Sequence, residues 1–103
     1  MQPAALLCAA QLLGLSIPDG MPPEGFIVAR QSPSEAMCEA AMTPYKTMIY
    51  GAGCRAVSNQ YVIVAPDFAT EAHEWCHRLL DWHGLPQSEP RCVTVELRAA
   101  ECR

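Results

Sequence analysis

Apolar positions along the chain fall into blocks whose spacing changes from helical to extended and back. Ala4 to Leu15 is almost wholly apolar, interrupted by Gln11, and closes on the Ile17-Pro18-Asp19-Gly20 turn. It reads as a helix packed on the domain, ending near Gly14. The same stretch has the length of a signal-peptide core, but no Lys or Arg precedes it, which favours the packed helix. Phe26 to Ala29 reads as a short strand. Ser32-Pro33-Ser34-Glu35 is a helix start, with a capping serine, proline in the first turn and a reciprocal glutamate, and the helix runs to about Met42, before Pro44. Lys46–Gly51 and Gln60–Ala65 are β-rich runs joined through Gly51-Ala52-Gly53 and Ser58-Asn59, so a hairpin is expected. Asp67 or Thr70 caps the next helix, which ends at Gly84. Leu85–Pro90 reads as a loop, and Val93–Arg103 as a final short helix.

That order, with strands before a long helix and a further helix after it, predicts a single α+β domain over residues 1–103. In it a short antiparallel sheet packs against the central helix, flanked by N- and C-terminal helices. At 103 residues, half of them hydrophobic, the chain has room for one modest core, so cross-links or a bound ion are expected to reinforce it. The net charge of −4, with seven basic residues scattered among eleven acidic ones, argues against a nucleic-acid surface. No apolar run is long enough to span a bilayer. Six cysteines (Cys8, Cys38, Cys54, Cys76, Cys92, Cys102) with no C-x-x-C pair suit disulfides, and an extracytoplasmic location, better than a thiolate metal knuckle. Cys38 with Cys54 is a pairing that local spacing allows.

The chemistry concentrates on the central helix. His73-Glu74-Trp75-Cys76-His77 spells H-E-x-x-H, and residues four apart turn only about 40° around a helix, so both imidazoles can face one ion. Glu74 beside them is placed to take a proton from metal-activated water. The bland alternative is a solvated polar face; the helical setting and the use of two of only three histidines favour metal. Zinc in a catalytic site wants three protein ligands and one open position. His83 has the right spacing, but the chain would have to turn back at Leu80, a poor residue for a left-handed conformation. Asp81 lies about 12 Å of helix rise from His73, too far to share an ion. Glu96 on the final helix is the favoured third ligand, with Glu101 and then Glu89 in reserve. Trp75, Leu79, Leu80 and Trp82 read as core, and Cys76 as buried or disulfide-bonded. No constellation supports a cysteine protease.

His73-Glu74-x-x-His77, with a strand before it and a Glu-bearing segment after it, resembles a minimal zincin of the gluzincin type. The resemblance implies a zincin-like fold, Zn²⁺ held by His73 and His77 with a downstream glutamate, matched here by Glu96, and Glu74 as general base in peptide-bond hydrolysis. Its specific match is five residues, and gluzincins are larger, with a second subdomain that this chain lacks. A peptide or protein is then the expected partner. The competing expectations are a non-catalytic module in which a metal ties two helices together, and a disulfide-held interaction domain without metal.

Overall fold

In this computed structural model, residues 2–22, 27–29, 47–50, 53–56 and 62–102 are described. The N-terminal apolar block forms helix α1, Ala4–Leu13. It stops where the sequence permits a left-handed residue: Gly14 sits at φ 70° and its N–H bonds back to the helix carbonyls of Ala10 and Gln11. Ala5, Leu6, Cys8, Ala9 and Ala10 are buried.

Helix α2, Phe68–Trp82, carries the H-E-x-x-H motif. Asp67 caps it, accepting the Thr70 N–H at 2.8 Å, and Gly84 at φ 67° follows its last turn. Every residue from Thr70 to Leu80 is buried. A helix covered on all sides is the centre of a structure rather than a lid on one.

Helix α3, Glu89–Arg98, starts four residues before the expected Val93. Ser88 caps it, its hydroxyl accepting the Arg91 N–H, and Pro90 lies in the first turn, where its missing N–H costs nothing. A 3₁₀ turn, Ala99–Cys102, finishes the described chain. α2 packs between α1 and α3. Two disulfides fix this arrangement. Cys8–Cys102 joins α1 to the terminal turn, and Cys76–Cys92 joins α2 to α3, with Cα–Cα distances of 5.6 and 5.5 Å.

Beside the helices the backbone runs in four short strand segments: β1 (Ile27–Ala29), β2 (Thr47–Tyr50), β3 (Gly53–Ala56) and β4 (Val62–Val64). Their order is β1-β4-β3-β2, with β1 parallel to β4 in the register Val28–Ile63 and the other pairs antiparallel.

The expected α+β zincin-like domain is corrected by where the core lies. The described core is built on Ala5, Leu6 and Ala9 of α1, Trp75, Leu79 and Leu80 of α2, and Cys92 and Val95 of α3. The fold class is helical, because α2 finds its main partners in α1 and α3 rather than in an antiparallel sheet. The bland alternative for α2 was a solvated polar face. Instead α3 covers that face, and its carboxylates make the burial tolerable. The helix expected over Ser32–Met42 and the Cys38–Cys54 pairing lie outside the described residues.

Candidate metal centre

One turn of α2 separates His73 and His77, and their rings meet as helix geometry requires. The centroids are 5.1 Å apart, and the two Nε2 atoms approach to 3.2 Å. Both rings are buried. Across from them, Glu89 and Glu96 are two turns apart on one face of α3. Glu89 reaches both imidazoles at once, with Oε1 2.9 Å from His73 Nε2 and Oε2 3.0 Å from His77 Nε2.

The outer nitrogens are held separately. His73 Nδ1 lies 2.7 Å from Glu96 Oε1, and His77 Nδ1 lies 2.7 Å from Gln87 Oε1. The Gln87 amide nitrogen donates to the backbone carbonyl of His77 at 2.9 Å, which turns its oxygen toward the ring. An amide oxygen and a carboxylate can only accept here, so each Nδ1 donates its proton. In the neutral rings, both Nε2 atoms then present lone pairs to each other and to the Glu89 carboxylate. Such a set is mutually repulsive unless a ring proton or a metal cation lies among its members.

The spacing fits a metal ion. Donors about 2.0–2.1 Å from a tetrahedral zinc lie about 3.3 Å apart, and octahedral donors at similar bond lengths about 3.0 Å. The observed separations are 2.9 Å from His73 Nε2 to Glu89 Oε1, 3.0 Å from His77 Nε2 to Glu89 Oε2 and 3.2 Å between the two Nε2 atoms; they involve both carboxylate oxygens, and one donor atom from each residue lies within 4.8 Å of the other two. Two imidazoles and a carboxylate suit zinc, and equally iron, nickel or copper. The group His73, His77 and Glu89 can therefore hold a metal ion. Access is from the α3 side, since the Glu89 side chain is 43% exposed while that of each histidine is about 1% exposed.

Glu96, the expected third ligand, lies on the far nitrogen of His73, and Glu89 takes the place beside both rings. Glu96 thereby orients the ring, the role that outer carboxylates play around metal-bound histidines. His83 is turned away, its Nε2 2.7 Å from the Ser16 carbonyl. Glu101 is bonded to Arg98 at the surface, through Arg98 Nε at 2.9 Å and Nη2 at 3.0 Å. That pairing holds the Glu101 carboxyl below its ordinary value and the Arg98 guanidinium above its own. Glu74 is fully buried and is not among the converging donors.

Gln87 was not legible as a functional residue; an isolated glutamine in a loop carries no signal. Glu89 was legible in principle, since Ser88-Glu89-Pro90 offers a capping serine followed by a proline in the first turn of a helix. A groove of about 160 Å³ lies elsewhere, between α1 and α3, lined by Leu12, Leu13, Arg91, Thr94, Val95 and Arg98, and it includes none of the donor groups. No described helix is long and apolar enough to cross a membrane.

The class that fold and site define is a disulfide-bonded helical domain with a His/His/Glu candidate metal group. Comparison with protein-family models, curated proteins and solved structures finds no match. The resemblance to zincins rests on His73-Glu74-x-x-His77 alone.

Proposed function

We propose that this chain is a small zinc-dependent hydrolase acting on peptide bonds, with His73, His77 and Glu89 as the protein ligands. The observation that supports the reading is the convergence of one donor atom from each of three residues on two helices, all within 4.8 Å of one another. Three protein donors rather than four is the count of a hydrolytic centre, which keeps a position for substrate or water. When bound, zinc supplies Lewis-acid activation of water and of a substrate carbonyl. Glu96 and Gln87 hold the Nδ1 protons and orient the rings, and Glu74 is the base in this reading. Two disulfides support a location outside the reducing cytoplasm.

The test is metal analysis of purified protein alongside cleavage of a mixed peptide library by wild type and Glu74→Gln. One zinc per chain and cleavage that the variant loses, with its zinc retained, is the expected result. A variant that still cleaves removes Glu74 from the mechanism.

One observation favours a second reading, in which the metal is a cross-link in a non-catalytic binding module. Glu74 is wholly buried and is not a member of the His73, His77 and Glu89 group, an awkward place for a base. Metal bound stoichiometrically with no cleavage of any peptide would select this reading.

A further inference from the structure

We propose that the Cys76–Cys92 disulfide is the element that presents Glu89 to the two imidazoles, so that metal loading follows disulfide formation. This rests on the metal-binding reading above. The bond sits at the level of the site. Cys76 falls between His73 and His77 on α2, and Cys92 falls three residues after Glu89 and four before Glu96 on α3. It pins the two helices with Cα atoms 5.5 Å apart, where the donors must converge.

The two halves of α3 are held unequally. Across Glu89 to Thr94, Cys92 is the sole buried residue; Glu89, Pro90, Arg91, Val93 and Thr94 are exposed. The other half buries Val95, continues into buried Ala99, and is anchored again through Cys102 to Cys8. Gln87 adds its two hydrogen bonds to His77, but these are polar contacts in an exposed segment. Without the sulfur link, the first half of α3 loses its one buried anchor while the second half keeps three. Glu89 is on the half that is released, and Glu96 is on the half that stays.

Closing the bond joins the two thiol sulfurs and passes two electrons and two protons to a disulfide oxidant, which leaves as a dithiol. Both cysteines are fully buried in the folded chain, so the exchange belongs to folding rather than to the finished protein. A chain folded under reducing conditions would keep its histidines and fail to bring Glu89 to them.

The experiment compares zinc affinity, by competition with a chromogenic chelator, in wild type and two double variants. Cys76→Ala/Cys92→Ala is expected to lose about tenfold or more, as removal of a group that orients ligands does. Cys8→Ala/Cys102→Ala is expected to lower the melting temperature while leaving affinity within about threefold, as for distant, independent sites. A folded Cys76→Ala/Cys92→Ala protein with wild-type affinity overturns the inference, and so does an equal loss in both variants. Should that variant not fold, Cys76→Val/Cys92→Ala refills the sulfur volume and takes its place. Glu89→Ala supplies a second measure: it should weaken zinc binding in wild type and have little further effect once the 76–92 link is gone. Full additivity of the two changes would also overturn the inference. Wild-type oxidised protein that binds no zinc would instead sink the metal reading itself.

Discussion

Helix α2 meets α1 along one flank and α3 along another, and the two seams differ in chemistry. Toward α1, Ala5, Leu6 and Ala9 join the apolar cluster that holds Ala72, Trp75, Leu79 and Leu80. Toward α3, two imidazoles meet two carboxylates and an amide, with a disulfide between them. The first seam gains from area removed from water and tolerates small shifts. The second is tolerable only while its polar groups stay paired, so it fixes the helices in one register. The disulfides follow the same division. Cys8–Cys102 closes 94 residues and Cys76–Cys92 only 16, which by loop entropy correspond to about 4.7 and about 3 kcal/mol. The long link serves stability, and the short one sits where the donors meet.

Substitutions on each seam separate the two. His77→Ala removes one of three donors and should lower zinc affinity by about 3–5 kcal/mol, roughly a thousandfold, given about 10–16 kcal/mol for a complete structural site. Isothermal titration of the metal-free protein checks it; retention of tight binding would exclude His77 as a ligand. Leu6→Ala on the other seam should cost about 2–5 kcal/mol of stability, read as a lower urea midpoint at unchanged slope, with zinc stoichiometry preserved. If the folded variant sheds its zinc, the seams are not separable. Gln87→Ala should weaken zinc binding about 10- to 100-fold by freeing the His77 tautomer, and Gln87→Glu should recover part of that loss. Equal losses in the two variants would show that the ring N–H contact is unimportant.

Glu101→Gln is the smallest change and touches neither seam. Hydrogen bonding to Arg98 lowers the folded-state pKa of Glu101, so its contribution is present above the ordinary glutamate range and fades as pH falls through the lowered value. A small melting-temperature gap between wild type and variant should therefore narrow as the pH falls below the ordinary glutamate range and close beneath the lowered value. A gap that widens in acid would contradict the pairing.

The parts of the fold that local chemistry dictates were readable from residues. The glycines after α1 and α2, the Asp67 cap and the covalently bonded Cys76 are where the pattern put them. The fold class was not readable, for a physical reason. His73, Glu74, His77 and Arg78 form a polar stripe that resembles a wetted face, and nothing in α2 itself says that the rest of the chain covers it. Glu89 stood only in reserve, behind Glu96 and Glu101, for a local reason. Pro90 read as the end of a loop, which left Glu89 outside the last helix, whereas proline in a first turn marks a helix start. Moving that start by four residues exchanges the roles of Glu89 and Glu96.

The Cys8–Cys102 bond bears on how the molecule responds to force and to cutting. A pull exerted from beyond those two cysteines passes through sulfur and bypasses the helices, so the donors feel little of the load. A single proteolytic nick between the same two residues leaves one covalent molecule. Electrophoresis without reductant will therefore show no separated fragments until the sample is reduced.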